Sequence, residues 1–126
     1  MINFLLDTNV VIWLSENNPR INQIKPIILS EESQFFISSA SWWEIAIKVR
    51  RGKLPIEYDK LHSLAKRSKF NELPVSSEYL KVYLDLPKFH KDPYDHMILA
   101  QAITCPMRLI TGDSELAQYS SLVMVI

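Results

Sequence analysis

The sequence predicts an α/β domain whose central sheet is mainly parallel. Three observations carry this. Short apolar runs of strand length recur along the chain, helical patterns separate one run from the next, and 126 residues suffice for one ordinary domain but not two. Residues 1–126 therefore read as a single domain, with no repeat, linker or low-complexity tract.

The first run, Ile2–Leu6, is apolar and breaks at Asp7, as a buried strand does. Val10–Leu14 begins a helix that Asn17-Asn18-Pro19 closes. Ile21–Ser30 reads as a second helix, with Ile24, Ile27 and Ile28 on one face, and Phe35-Phe36-Ile37 as the next strand. Ser41-x-x-Glu44 has the form of a capping box, opening a helix that runs to Gly52 at its C′ position. Asp59–Ser68 forms another helix on the stripe Leu61, Leu64 and Ala65. A short strand is expected around Leu73-Pro74-Val75, then a helix over Ser76–Leu84. Asp92 at N-cap and Pro93 at N1 start a helix reaching Ile103. Arg108–Thr111 is a strand, Asp113–Gln118 a helical turn, and Leu122–Ile126 a last strand.

Composition narrows the function classes. Apolar residues make up 48% and charged residues 22%, a globular balance. No run approaches the ~20 apolar residues of a membrane span. Met1–Leu6 lacks a basic segment and meets Asp7, unlike a signal peptide. The single cysteine, Cys105, excludes an internal disulfide and a thiolate metal cluster. A cytoplasmic protein without a membrane partner is expected. Gly52 and Gly112 are the only glycines, which rules out Gly-rich phosphate loops.

In open parallel sheets ligands bind beyond the carboxyl ends of the strands, where strand order reverses. Asp7 directly follows the first strand, and Asp113 follows Arg108–Thr111 by one glycine. Glu44 and Asp95 each lie in the first turn of a predicted helix. Four carboxylates gathered at one edge repel unless a positive charge sits among them. With no His or Cys at ligand spacing, the expected counterion is a hard divalent cation, Mg²⁺ or Mn²⁺, which favours oxygen ligands and phosphate chemistry. Simpler roles stand beside these: Asp7 and Asp92 as helix N-caps, Glu44 as the N3 half of its capping box, Asp113 as a turn residue.

Four motifs carry a resemblance. Leu5-Leu6-Asp7-Thr8-Asn9, Ser38 to Lys48, His90-Lys91-Asp92-Pro93-Tyr94-Asp95 with Ile98–Ala102, and Ile110-Thr111-Gly112-Asp113 resemble, in order and spacing, the PIN-domain ribonucleases, above all toxins of the VapC type. The resemblance implies a Rossmann-like sheet and an acidic pocket that binds Mg²⁺ or Mn²⁺ and cleaves RNA phosphodiester bonds by metal-activated water. It also implies a cognate antitoxin that holds the enzyme inactive, and a homodimer. It assigns catalytic and metal-binding roles to Asp7, Glu44, Asp95 and Asp113, and auxiliary ones to Thr8, Asn9 and Asp92. One position departs: the residue after the second Asp is often Arg, and here it is His96.

Formal charge is zero, 14 Lys and Arg against 14 Asp and Glu, which on its face argues against a polyanion. The distribution says otherwise. Eight basic residues face only Glu57 and Asp59 over the 26 residues Ile45–Phe70. Lys48, Arg50, Arg51 and Lys53 are expected to continue the Glu44 helix away from the pocket and guide a phosphate backbone to it, with Lys88-Phe89-His90-Lys91 as a flexible, cationic approach to Asp92 and Asp95 and His96 as a further phosphate contact. Solvated helix-end cations are the plainer reading. Trp42, Trp43, Tyr94 and Phe89 are either core or stacking surfaces for unpaired bases. Trp13, Leu14 and the Trp42-Trp43 helix offer an apolar groove to an antitoxin or a dimer mate. Two other readings compete: a haloacid-dehalogenase-like phosphatase, which leaves Glu44 without a role and finds Asn9 where its second Asp belongs, and a non-catalytic partner-binding module.

Overall fold

The structure, a computed structural model, describes residues 1–126. Its five strands are β1 (Ile2–Leu6), β2 (Ser33–Ser38), β3 (Asn71–Leu73), β4 (Arg108–Thr111) and β5 (Val123–Val125). They form one sheet in the order β3-β2-β1-β4-β5, and all four pairings are parallel. β1 is central, with Leu6 opposite Ile37 on one side and Ile110 on the other. The order reverses between β1 and β4, so the crevice beyond their carboxyl ends lies beside Asp7 and Asp113.

Strand alternation builds a core on each face. Phe4 and Leu6 of β1, with Ile110 of β4, pack on one face with α1 (Thr8–Glu16), α3 (Ser39–Arg50) and α4 (Tyr58–Arg67) through Val10, Trp42, Ile45 and Leu61. Leu5 and Leu109 point the other way, against Ile98, Leu99 and Ala102 of α6 (Pro93–Thr104). Buried on both faces, these strands read as continuous apolar runs rather than alternating ones.

Local chemistry sets several boundaries. Asn17, at φ 53°, ends α1 in the left-handed conformation that Asn tolerates. Gly52, at φ 70°, closes α3: its N–H donates to Val49 O and that of Lys53 to Lys48 O, the paired bonds of a Schellman turn. The single helix expected over Ile21–Ser30 is instead a tight 3₁₀ segment, Pro19–Gln23, followed by the one-turn α2 (Lys25–Ile28). Pro26 lacks an N–H and is tolerated only in a first turn, so a helix starts at it rather than passing through. Likewise β3 ends at Leu73 because Pro74 cannot extend a ladder, and Ser76–Leu84 resolves into a 3₁₀ turn, Ser77–Tyr79, and α5 (Leu80–Asp85).

The opening of α3 differs in a way that matters. The helix begins at Ser39, capped by Ser38, whose hydroxyl accepts from Ala40 N–H at 3.0 Å. Ser41 is already inside the helix, and its Oγ accepts from Thr8 Oγ1 at 2.9 Å. Glu44 therefore lies in the second turn, beyond capping reach, and the capping-box reading of Ser41 and Glu44 is overturned.

Candidate metal centre at the carboxyl edge of the sheet

Asp7 sits at the switch point itself. Its backbone N–H donates to Ile110 O at 2.9 Å, continuing the β1–β4 ladder. One carboxylate oxygen caps α1 by accepting from Thr8 N–H at 2.8 Å, and the other accepts from the Thr111 hydroxyl at 2.7 Å. The residue is only 3% exposed. Burial pushes its carboxyl above the usual carboxylate range; the Thr111 and Thr8 bonds oppose that, and nearby Glu44 and Asp113 add to it. The capping role is real, and Asp7 faces other carboxylates at the same time.

Thr111 did not emerge from the sequence reading. While donating to Asp7, its oxygen accepts from Asp113 N–H at 3.0 Å, tying two acidic residues together across the crevice. A hydroxyl at the last position of a buried strand, just ahead of Gly-Asp, was the available signal. Gly112 between them is required by packing: a Cβ there would run into the Trp13 indole. Asp113 then caps the 3₁₀ segment Ser114–Gln118 by accepting from Glu115 N–H at 2.9 Å.

Glu44 reaches the same place from α3. One oxygen lies 3.1 Å from Lys48 Nζ; the other, Oε1, is buried without a hydrogen-bond partner, and the residue is only 8% exposed. From the opposite side, Asp92 caps α6 through Tyr94 N–H and Asp95 N–H, at 2.9 and 3.2 Å. This fixes the first turn and so the direction of Asp95. The Asp95 carboxyl is pushed up to about 8, chiefly by burial and then by the charges of Asp7, Asp92, Glu44 and Asp113. All four carboxylates singled out in the sequence thus fall within electrostatic reach of one another.

One expectation fails here: a histidine is present after all. His90 Nε2 stands 3.7 Å from Asp95 Oδ2, and ligand atoms of His90, Asp95 and Asp113 all lie within 4.8 Å of one another. Lying in the loop between α5 and α6, it has no helical spacing from Asp95 that would announce it; the fold brings it back. His96, in contrast, turns away, its Nε2 3.1 Å from Tyr119 Oη and its ring parallel to that of His90 at 5.1 Å. Burial, then the neighbouring His90, lowers its pKa. The Thr8 hydroxyl bonds Ser41 rather than an acid, its backbone N–H alone reaching Asp7, and Asn9 is exposed with no side-chain hydrogen bond.

Glu44, Asp95, Asp113 and His90 line a cleft of about 610 Å³ with Lys48, Arg51, Lys53 and Lys91 at its walls, and Asp7 lies buried behind it within reach of their charges. Lys48 and Arg51 therefore do not lead away from the pocket. They follow Glu44 by four and seven residues, onto its own helix face, and the Gly52 turn brings Lys53 back. Arg50, six residues on, faces elsewhere, and neither it nor Lys88 nor His96 lines the cleft. Among the aromatics, Trp42 is core, edge-on to Tyr58 and His62, whereas Trp43 is 64% exposed and edge-on to Tyr94 beside the cleft.

The donor set suits a hard cation: carboxylate oxygens dominate, two are held by hydroxyl and amide donors, and Glu44 Oε1 is buried with its lone pairs unclaimed. No helix is long and apolar enough to cross a membrane.

Comparison with known proteins accords with this geometry. The chain is 24% identical over 121 residues to ribonuclease VapC22 of Mycobacterium tuberculosis (strain ATCC 25618 / H37Rv), covering 94% of this chain and 93% of that one. Its fold is similar to VapBC2 from Rickettsia felis, bound there to a DNA fragment from their promoter, with a TM-score of 0.74 at 16% identity over 99% of this chain and 98% of the other. It is similar also to a toxin–antitoxin complex from Klebsiella pneumoniae, with a TM-score of 0.69 at 20% identity over 96% and 95% of the two chains. The PIN domain family profile matches residues 4–122, and with an all-parallel sheet converging acidic residues at its switch point, the chain belongs to the PIN domain family.

Proposed function

We propose that this protein is a Mg²⁺- or Mn²⁺-dependent endoribonuclease of the VapC toxin type, held inactive by a cognate antitoxin. The observation that carries the reading is the convergence of Glu44, Asp95 and Asp113 on one cleft, within electrostatic reach of buried Asp7 and with a buried Glu44 oxygen left unpartnered. Similarity to a ribonuclease and to toxin–antitoxin complexes supports the substrate and the partner. The antitoxin and a homodimer remain part of the proposal, as does cytoplasmic action on RNA.

Asp7, Glu44, Asp95 and Asp113 would hold the cation, with Thr111 and Thr8 N–H fixing Asp7. Bound there, Mg²⁺ or Mn²⁺ supplies a water of lowered pKa and stabilises charge developing on a phosphate. The chain's own contribution is largely placement. Asp95, its carboxyl raised to about 8, would be neutral at pH 7 without a cation and would have to lose that proton to hold one. Lys48, Arg51, Lys53 and Lys91 present four cations at the cleft walls to the phosphates flanking the cut. With the four site acids set aside, the rest of the chain carries a surplus of four positive charges, so the neutral total does not oppose an RNA substrate.

Incubating the purified protein with total RNA, with Mg²⁺ or Mn²⁺ and with EDTA, tests the reading. Discrete fragments that vanish with EDTA and with Asp7→Asn are expected. Cleavage that persists in both would overturn the metal-dependent mechanism.

A further inference from the structure

His90 is a largely covered group that this mechanism leaves unused. Its side chain is 15% exposed although it sits in a loop, and Nε2 is buried without a hydrogen-bond partner. The loop is held firmly. Tyr119 Oη accepts from Phe89 N–H and His90 N–H at 3.1 and 3.2 Å, which leaves its own proton for His96 Nε2 at 3.1 Å. The His96 ring in turn lies parallel beneath that of His90. Between this stack and Asp92, Nε2 is directed at Asp95 and Asp113. On the same cleft, Glu44 Oε1 is a second orphaned atom, on a residue more than nine-tenths buried. Two unpartnered polar atoms from separate segments, flanking the same carboxylates, point to a shared ligand.

We propose that His90 ligates the site's cation through Nε2, making the donor set carboxylate plus imidazole rather than all oxygen. This rests on the metal-dependent reading above. Ligation places the ring proton on Nδ1 and gives up the contact with Asp92 N–H, which at 3.4 Å is at the outer edge of hydrogen-bond range. An imidazole ligand favours Mn²⁺ and later transition metals, whereas Mg²⁺ keeps to oxygen and water. The pinned loop then acts as a metal-selectivity element, with Tyr119 and His96 as positioning residues.

The test needs no RNA. The chain has three histidines; His62 packs on Trp42 and Tyr58, and His96 Nε2 is taken by Tyr119, so a nitrogen signal from the bound metal reports His90. Pulsed EPR of Mn²⁺ on the wild-type protein should show the ¹⁴N modulation of a coordinated imidazole. Calorimetric titration should show the ratio of Mn²⁺ to Mg²⁺ affinity falling about tenfold in His90→Gln, almost wholly from weaker Mn²⁺ binding. Bound Mn²⁺ without ¹⁴N modulation in the wild type, or modulation that survives in His90→Gln, overturns the ligand assignment and leaves the metal reading standing. A wild-type protein that binds neither cation overturns both.

Discussion

Asp95→Asn should stabilise the metal-free protein, and by an amount that depends on pH. The Asp95 carboxyl is raised from 3.8 to about 8, mainly by burial and then by four neighbouring acids. Between those two values the folded state keeps a proton that the unfolded state has lost. More protons on the folded side mean that stability falls as pH rises through this window, with no slope from this group below 3.8 or above about 8. A shift of roughly four units at 1.36 kcal/mol each bounds the penalty at about 5–6 kcal/mol. The neighbouring acids share it, and the amide keeps part of the desolvation cost, so about 3 kcal/mol is expected at pH 8, near 10 °C in Tm for a chain of this size. Thermal unfolding in chelator from pH 4 to 9 measures it: wild-type and Asp95→Asn curves should meet near pH 4 and diverge upward. Parallel curves across that range would refute the argument that like charges in a dry crevice strain this fold.

Three other outcomes follow from the same geometry. Thr111→Val should cost about 1–3 kcal/mol in chemical denaturation, because it removes the donor to Asp7 and the acceptor of Asp113 N–H together. Gly112→Ala should destabilise by about 1–3 kcal/mol, through overpacking against Trp13 rather than through backbone conformation, and a smaller residue at position 13 should relieve it in a double-mutant cycle. Replacing Arg51 and Lys53 together by Ala should flatten the dependence of log affinity on log salt for a single-stranded RNA, by about 0.7 for each lost phosphate contact, while Arg50→Ala should leave the slope unchanged.

The parts of this site that were legible in the sequence share a physical cause. Asp7, Asp95 and Asp113 sit at fixed, short offsets from elements that announce themselves by apolar runs and capping residues, so the topology carries them to one edge. Glu44 lies at the site although its helix starts three residues earlier than the Ser-x-x-Glu pattern implies. Lys48 and Arg51 were identified but misdirected, although helical spacing from Glu44 already put them on its face. His90 and Thr111 stand inside motifs that the sequence displays, but their roles, like that of Tyr119, depend on partners 5, 104 and 23–30 residues away, contacts that no local pattern encodes. In the Ile21–Ser30 segment the opposite holds: Pro26 outweighs the apolar periodicity, and one helix gives way to two short segments.

The central strand pairing also bears on how the protein comes apart. The crevice closes when β4 docks beside β1, and the Thr111–Asp7 bond that seals it spans 104 residues of chain. Contacts of such long sequence separation are slow to form, and they form after the local helices and the β1–β2 pair. We expect the side chains of the acids to settle against one another only after the strands have paired, past the rate-limiting barrier. Relief of their repulsion should then appear as slower unfolding with an almost unchanged refolding rate, so Asp95→Asn should move only the unfolding arm of a chevron plot. A bound cation should act on that same arm, keeping the native chain closed for longer without speeding its assembly.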